Sequence, residues 1–213
     1  LFFQCYNTVM SRKGKSNWFE DHNSDFYVRL SKKDDYKSRA AYKLIQLEEK
    51  YCLIRDSKNV LDLGCAPGSW LQVLSCFPNL KSIVGVDRLE IDRIKGVEFF
   101  RYDISDLSLI DLLTEKFNSK FDLVLSDIAP NITGVTDIDQ ANFVSVTENV
   151  LKISNKLLEI GGNLIIKLFN GPRVGETGNL LEISFKKIEV FKPKSSKKNS
   201  SEIYIVCKGF KDC

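Results

Sequence analysis

Histidine is almost absent from this chain: among 213 residues there is only His22. The six cysteines (Cys5, Cys52, Cys65, Cys76, Cys207 and Cys213) are scattered and form no CxxC pair. These two shortages remove the raw material for a structural zinc site or a Ser-His-Asp hydrolase, so no metal site is expected. Apolar runs stop well short of the ~18–20 residues that a membrane-spanning helix needs. No period recurs, which excludes collagen, coiled coils and repeat arrays. Also missing is a GxGxxG turn, the spacing that brings a pyrophosphate onto a helix N-terminus in dinucleotide-binding folds. Free thiols in a reducing compartment account for the cysteines. Leu1 rather than Met opens the chain, as expected of a processed form, and Leu1-Phe2-Phe3 is too short for a signal peptide.

What is present is an ordinary globular composition, 43% hydrophobic and 28% charged, in a length suited to one domain with an appended arm. The net charge of +3 is unevenly spread. Residues 11–43 hold nine Lys/Arg against five acids, and residues 186–211 hold eight against two, so the middle of the chain is net acidic. Basic ends around an acidic middle fit a polyanionic partner; solubilising tails are the alternative account.

Residues 1–37 read as a basic N-terminal arm with a short helix near 26–30, and residues 38–213 as the folded domain. Ser38 is the expected N-cap of a helix in which Ala40, Leu44, Leu47 and Tyr51 recur at helical spacing. That pattern leaves Lys43 beside the apolar stripe. Strands are expected over 59–63, 82–87, 97–101, 121–126, 163–168, 188–191 and 203–207. Helices are expected over 69–76 and 107–117, and from Asp139 to a terminating Gly161-Gly162. The alternation predicts an α/β fold, a doubly wound, mostly parallel, seven-stranded Rossmann-like sheet. The last two strands, joined by the Lys/Ser/Asn-rich loop 192–201, are expected to close it as an antiparallel C-terminal hairpin.

Such sheets bind ligands beyond the carboxyl ends of their strands, where strand order reverses. Here the first strand runs into Asp62-Leu63-Gly64-Cys65-Ala66-Pro67-Gly68-Ser69-Trp70. Glycines allow a tight turn and close approach of a ligand, while the proline removes an amide donor. The turn therefore speaks against a dinucleotide and for a nucleoside ligand without phosphates, which S-adenosylmethionine (SAM) fits. Asp87 ends the second strand 23 residues after Gly64, near the ~20-residue offset of a ribose-binding carboxylate. Asp103 follows the third strand and is placed to accept from an adenine amino group. Each aspartate alone could equally be a helix cap or turn residue.

Four segments together resemble the FtsJ family of SAM-dependent ribose 2′-O-methyltransferases. They are Ser38-Arg39-Ala40-Ala41-Tyr42-Lys43-Leu44, Asp62–Trp70, Ser126-Asp127-Ile128-Ala129-Pro130-Asn131 with Gly134, and Ile166-Lys167-Leu168-Phe169 with Gly171. Lys192-Pro193-Lys194-Ser195-Ser196, leading to Ser201-Glu202-Ile203-Tyr204, extends the likeness, which covers the chain from about Ser16 onward. The resemblance implies a catalytic tetrad of Lys43, Asp127, Lys167 and Glu202. It also implies cofactor contacts at Gly68, Trp70, Asp87, Asp103 and Asp127, beside the Gly64 turn. Ser69 and Cys65 depart from the glycine and alanine common in the family; both are small.

The implied chemistry stands on its own terms. A ribose hydroxyl is a poor nucleophile and a sulfonium a strong methyl donor, so the protein must align the two and take up a proton. A lysine serves as base only where desolvation or a second cation favours its neutral form. Lys167 is the expected base, Lys43 its cationic neighbour, and Asp127 and Glu202 the carboxylates that hold them. The expected partner is RNA, bound at phosphates by the basic ends with the target nucleotide splayed out. Asn17-Trp18, ahead of His22 and Asp25, is similar to the ribosomal-RNA branch, and Tyr27–Lys32 to the transfer-RNA branch. Ribosomal RNA, of the large subunit, is the expected substrate, with transfer RNA or an inactive RNA-binding assembly factor as alternatives. A monomer inside the cell is expected, with organelle, nucleus and cytoplasm all open.

Overall fold

The computed structural model describes residues 23–117, 119–130, 133–134, 136–169, 174–197 and 200–211. Its first element is helix α1 (Asn23–Lys33), followed by α2 (Ala41–Tyr51), β1 (Asn59–Leu63), α3 (Ser69–Leu74), β2 (Ser82–Asp87) and β3 (Glu98–Arg101). Then come α4 (Ser108–Lys116), β4 (Phe121–Ser126), α5 (Thr136–Leu157), β5 (Leu158–Phe169), α6 (Val174–Ser184), β6 (Phe185–Phe191) and β7 (Glu202–Phe210). The seven strands form one sheet in the order β3-β2-β1-β4-β5-β7-β6. The first five are parallel, while β7 runs antiparallel to both β5 and β6. The expected α/β architecture and C-terminal hairpin are therefore present, with β7 inserted between β5 and β6.

Alternation along the central strands divides the core in two. Leu61, Leu63, Val84, Val86, Val124, Leu164 and Ile166 bury one face with α4, α5 and α6. Val60, Ile83, Leu123, Leu125 and Ile165 bury the other with Leu44 and Leu47 of α2 and Trp70, Leu71 and Leu74 of α3. With both faces covered, β1 and β4 are apolar almost throughout. The polar exceptions are Asn59 and Asp122 at the amino ends and Asp62 and Ser126 at or near the carboxyl ends.

Several boundaries differ from expectation. Ser38 does not cap α2, whose N-cap position is Ala40 without a side-chain bond. The Ser38 hydroxyl instead accepts from the Ala40 amide at 3.2 Å and pairs with the Ser69 hydroxyl at 2.7 Å, tying the start of α2 to α3. The arm is more regular than its composition indicates: α1 runs 11 residues, and its Tyr27 meets the Tyr42 ring at 5.4 Å and accepts from Gln46 at 3.2 Å. Gly161-Gly162 does not end α5, which stops at Leu157 and passes directly into β5. The pair lies in an irregularity between the Phe121–Leu158 and Leu123–Asn163 pairings. Gly161 has φ +86°, and a Cβ on Gly162 would stand 3.0 Å from the Asp122 carbonyl, so close backbone approach requires glycine there. Helix α6, which links β5 to β6, is an element that periodicity did not single out.

Candidate active site

Strand order reverses between β1 and β4, so the loops leaving their carboxyl ends diverge and open a cleft. One wall is the turn after β1. Gly64 adopts φ +75°, and an added Cβ would lie 2.1 Å from Ile128 Cγ1 of the β4 loop, so the two loops touch only because that side chain is missing. Ala66-Pro67 is a cis peptide, and Gly68, at φ +102°, leads into α3.

A cavity of about 560 Å³ fills the cleft, and Gly64, Ala66, Asp87, Asp103, Asp127 and Asn149 are among its lining residues. Its size falls in the ~300–1,000 Å³ range of small-molecule sites. Asp87 is braced by two backbone amides, Ala66 N on Oδ2 at 2.8 Å and Leu89 N on Oδ1 at 2.9 Å. Each carboxylate oxygen keeps a second lone pair for a ligand hydroxyl. Asp103 is fixed through Oδ1 alone, by the Ser105 amide at 2.9 Å and hydroxyl at 2.8 Å. Those bonds hold its carboxyl below the usual range, so it is an ionised acceptor at neutral pH. Both aspartates thus sit where their strands' ends predict.

Asp127 is the link to a second group of side chains. Its Oδ1 meets Lys167 Nζ at 2.9 Å and accepts from the Tyr204 hydroxyl at 2.5 Å, and its backbone carbonyl also receives the Lys167 ammonium. Lys43 Nζ meets Glu202 Oε2 at 2.7 Å, while the other carboxylate oxygen of Glu202 accepts from the Ser196 hydroxyl at 2.7 Å. Lys43, Lys167 and Glu202 are each only 8% exposed. Register explains the assembly: Lys167 stands opposite Tyr204, and Phe169 opposite Glu202, across the β5–β7 ladder. Lys43 arrives from α2, with its ammonium 5.8 Å from the centre of the Tyr204 ring. The four residues expected to form a tetrad therefore make two adjacent ion pairs, Lys43–Glu202 and Lys167–Asp127.

Trp70 is buried between these groups; its indole N–H donates to the Ala40 carbonyl at 2.9 Å and its ring lies 5.9 Å from that of Tyr204. It lines a small recess of about 20 Å³ together with Asp62, Cys65, Ser69 and Asp127. Gly68 lines neither cavity; its amide donates to the Cys65 carbonyl at 2.7 Å and its carbonyl receives the Gln72 amide at 2.9 Å.

Sequence reasoning assigned no role to Tyr204, Ser196 or Asp62. Period-2 alternation from Glu202 would have placed Tyr204 on the same face of β7, and an acid inside the apolar run NVLDL was a signal for Asp62. Ser196 carried no such signal. Asn17, Trp18, His22, Asn131 and Gly171 lie outside the described residues.

A family model for FtsJ-like methyltransferase matches residues 36–210. The ribosomal RNA large subunit methyltransferase E of Methylobacillus flagellatus is 38% identical over 200 residues, covering 92% of this chain and 97% of its own length. The protein of the same name from Methanothermobacter thermautotrophicus is 42% identical over 200 residues, covering 91% of this chain and 93% of its own. A crystal structure described as a ribosomal RNA methyltransferase of Plasmodium falciparum matches with a TM-score of 0.71 at 34% identity, over 82% of this chain and 98% of that one.

Proposed function

The chain belongs to the FtsJ-like methyltransferase family, and we propose that it methylates a ribose 2′-hydroxyl of large-subunit ribosomal RNA. It is an RNA methyltransferase that uses SAM, a cofactor that supplies an electrophilic methyl group on a sulfonium. The residues suit that ligand: a cleft of nucleoside size, a carboxylate braced for ribose hydroxyls, and an ionised carboxylate for an adenine amino group. The observation that carries the reading is the position of Asp127, which lines the cofactor cavity and also holds Lys167. A nucleophile held by Lys167 is thereby brought to the methyl-bearing end of the cleft.

In this reading Lys43 and Lys167 orient the 2′-hydroxyl. Having first given a proton to solvent, the neutral Lys167 amine would take the proton of that oxygen, while SAM would supply the methyl group to it. Glu202, held by Ser196, keeps Lys43 in place, and Asp127, held by Tyr204, keeps Lys167 in place. General-base catalysis of this kind typically contributes ~10²–10⁴-fold, with alignment adding more. The basic stretches 11–43 and 186–211 hold RNA phosphates, the protein acting as a monomer inside the cell. The names of the relatives favour ribosomal RNA over transfer RNA.

The test is to incubate the purified protein with isotope-labelled SAM and unmodified large ribosomal subunits, then map the label. A ribose-methylated nucleotide in large-subunit RNA is the expected product. Label on a base, or transfer only to transfer RNA, would overturn the proposed substrate.

A further inference from the structure

Resting on the reading that Lys43 helps to orient the 2′-hydroxyl, we infer that Gln46 is a positioning residue for Lys43, acting through the Ser195–Ser196 turn and Glu202. Arg39, just ahead of α2, and Lys43 and Gln46 within it are spaced four and three residues apart, which sets them along one side of the helix. All three reach the stretch that joins β6 to β7. The Arg39 guanidinium donates to the Ser195 carbonyl at 2.7 Å, and the Gln46 side-chain oxygen accepts from the Ser195 amide at 3.2 Å. The next residue, Ser196, donates to Glu202 Oε1 at 2.7 Å, and Glu202 Oε2 meets Lys43 Nζ at 2.7 Å.

The turn depends on these partners. Ser195 and Ser196 are 1% and 7% exposed, yet both lie outside the strands, so no sheet ladder fixes them. Buried backbone groups must find hydrogen bonds somewhere. Here the N–H and C=O of Ser195 find them on Gln46 and Arg39, and the Ser196 amide finds the Pro193 carbonyl at 3.1 Å. Gln46 is itself braced from the other end, where its side-chain nitrogen donates to the Tyr27 hydroxyl of α1 at 3.2 Å. A side-chain amide accepts at one end and donates at the other. Gln46 therefore ties α1, α2 and the turn together, which a hydrocarbon of the same length could not do.

Glu202 holds Lys43 from the turn, so a shift of Ser196 moves carboxylate and ammonium together. Misplacing a reacting group by ~1 Å can cost ~10²-fold in rate. Binding is less sensitive. Lys194 and Lys197 beside the two serines face solvent, and their charges act on phosphates over a screening length of about 8 Å at physiological salt. Gln46 also lines neither cavity. Its contribution therefore falls on the rate at saturating substrates, not on affinity for RNA or SAM.

Single-turnover methylation by the full chain, with saturating SAM and ribosomal RNA, is compared for the parent, Gln46→Met, Ser196→Ala and the double variant. Gln46→Met keeps the length of the side chain and loses both hydrogen bonds. Each single substitution should lower the rate by about tenfold. The double variant should also lose about tenfold, not about a hundredfold, because both changes cut the same chain of contacts. Affinities for SAM and RNA, measured on the same preparations, should match those of the parent. An unchanged rate in Gln46→Met would overturn the assignment. So would losses that multiply in the double variant, or a parallel loss of SAM affinity, since either would mark a general loosening of the fold. If Gln46→Met does not fold, Gln46→Asn, too short for either bond, gives the same comparison. Absence of methyl transfer by the parent would instead overturn the proposed function itself.

Discussion

Tyr204 donates a hydrogen bond to Asp127 Oδ1 at 2.5 Å, the same oxygen that the Lys167 ammonium meets at 2.9 Å. One carboxylate oxygen thus gathers a phenol and an ammonium that face each other across the β5–β7 ladder. The phenol is fully enclosed, and burial followed by the charges of Asp127 and Glu202 raises its pKa well above the ordinary value. Tyr204 therefore acts as a neutral donor throughout the working pH range.

Tyr204→Phe removes that donor and leaves a buried hydrogen bond unmade. Loss of one partner of a buried pair costs ~1–3 kcal/mol, so a lower melting temperature is expected. Methyl transfer should fall while SAM affinity stays near the parental value, because Tyr204 lines neither cavity. Thermal unfolding and single-turnover rates measured on the same preparation check both parts; an unchanged melting temperature and rate would mean that the hydroxyl is idle.

Lys167→Ala should reduce methyl transfer by roughly 10²–10⁴-fold with SAM binding retained. Lys167→Arg should be almost as inactive, since a guanidinium keeps its proton at neutral pH. Single-turnover methylation with saturating SAM and RNA, across a pH range, is the measurement. Near-parental rates for Lys167→Arg would show that only the positive charge matters, and the base assignment would fall.

Asp87→Ala deletes the carboxylate that the Ala66 and Leu89 amides hold in the cleft. Charge-assisted hydrogen bonds contribute ~1.5–3 kcal/mol, so SAM affinity should drop by roughly 10–100-fold. Calorimetry reads this directly, and parental affinity would remove the ribose role.

Lys194 and Lys197 are exposed on the loop between β6 and β7, whereas Ser195 and Ser196 between them are buried. The Ser195 carbonyl accepts from Arg39 at 2.7 Å, and its amide donates to Gln46 at 3.2 Å. Replacing both lysines by Gln should leave that anchor intact and weaken RNA binding about equally for related RNAs. The slope of log affinity against log salt should flatten by about one per lost phosphate contact. An unaltered slope would make the cluster a solvated loop; Lys198 beside it lies outside the described residues.

Strand positions were legible because the central strands are buried on both faces and so are written as short, mainly apolar runs, NVLDL, SIVGVD and FDLVLS. The positions of Asp87 and Asp103 beside the cleft were legible because strand ends follow from those runs, and ligands of such sheets bind beyond them. The end of α5 was not, since glycine in a bulge and glycine after a helix look alike in one dimension; only the approach of the Asp122 carbonyl to Gly162 separates them. Nor was the cap of α2, where Ser38 turns to Ser69, a partner 31 residues away in the chain.

Composition, apolar periodicity and the glycine turn by themselves determined an α/β sheet with its ligand cleft beyond β1, because local backbone preferences and burial depend on short stretches of chain. Which lysine pairs with which carboxylate was decided by tertiary structure alone. Lys43 and Glu202 are 159 residues apart, and they meet only because β7 inserts beside β5 and brings Glu202 level with Phe169. The setting of the buried Asp62 is likewise a property of three dimensions. Its neighbours Asp87 and Asp127 come from other strands, and their charges bear on it only once the sheet has excluded water around all three.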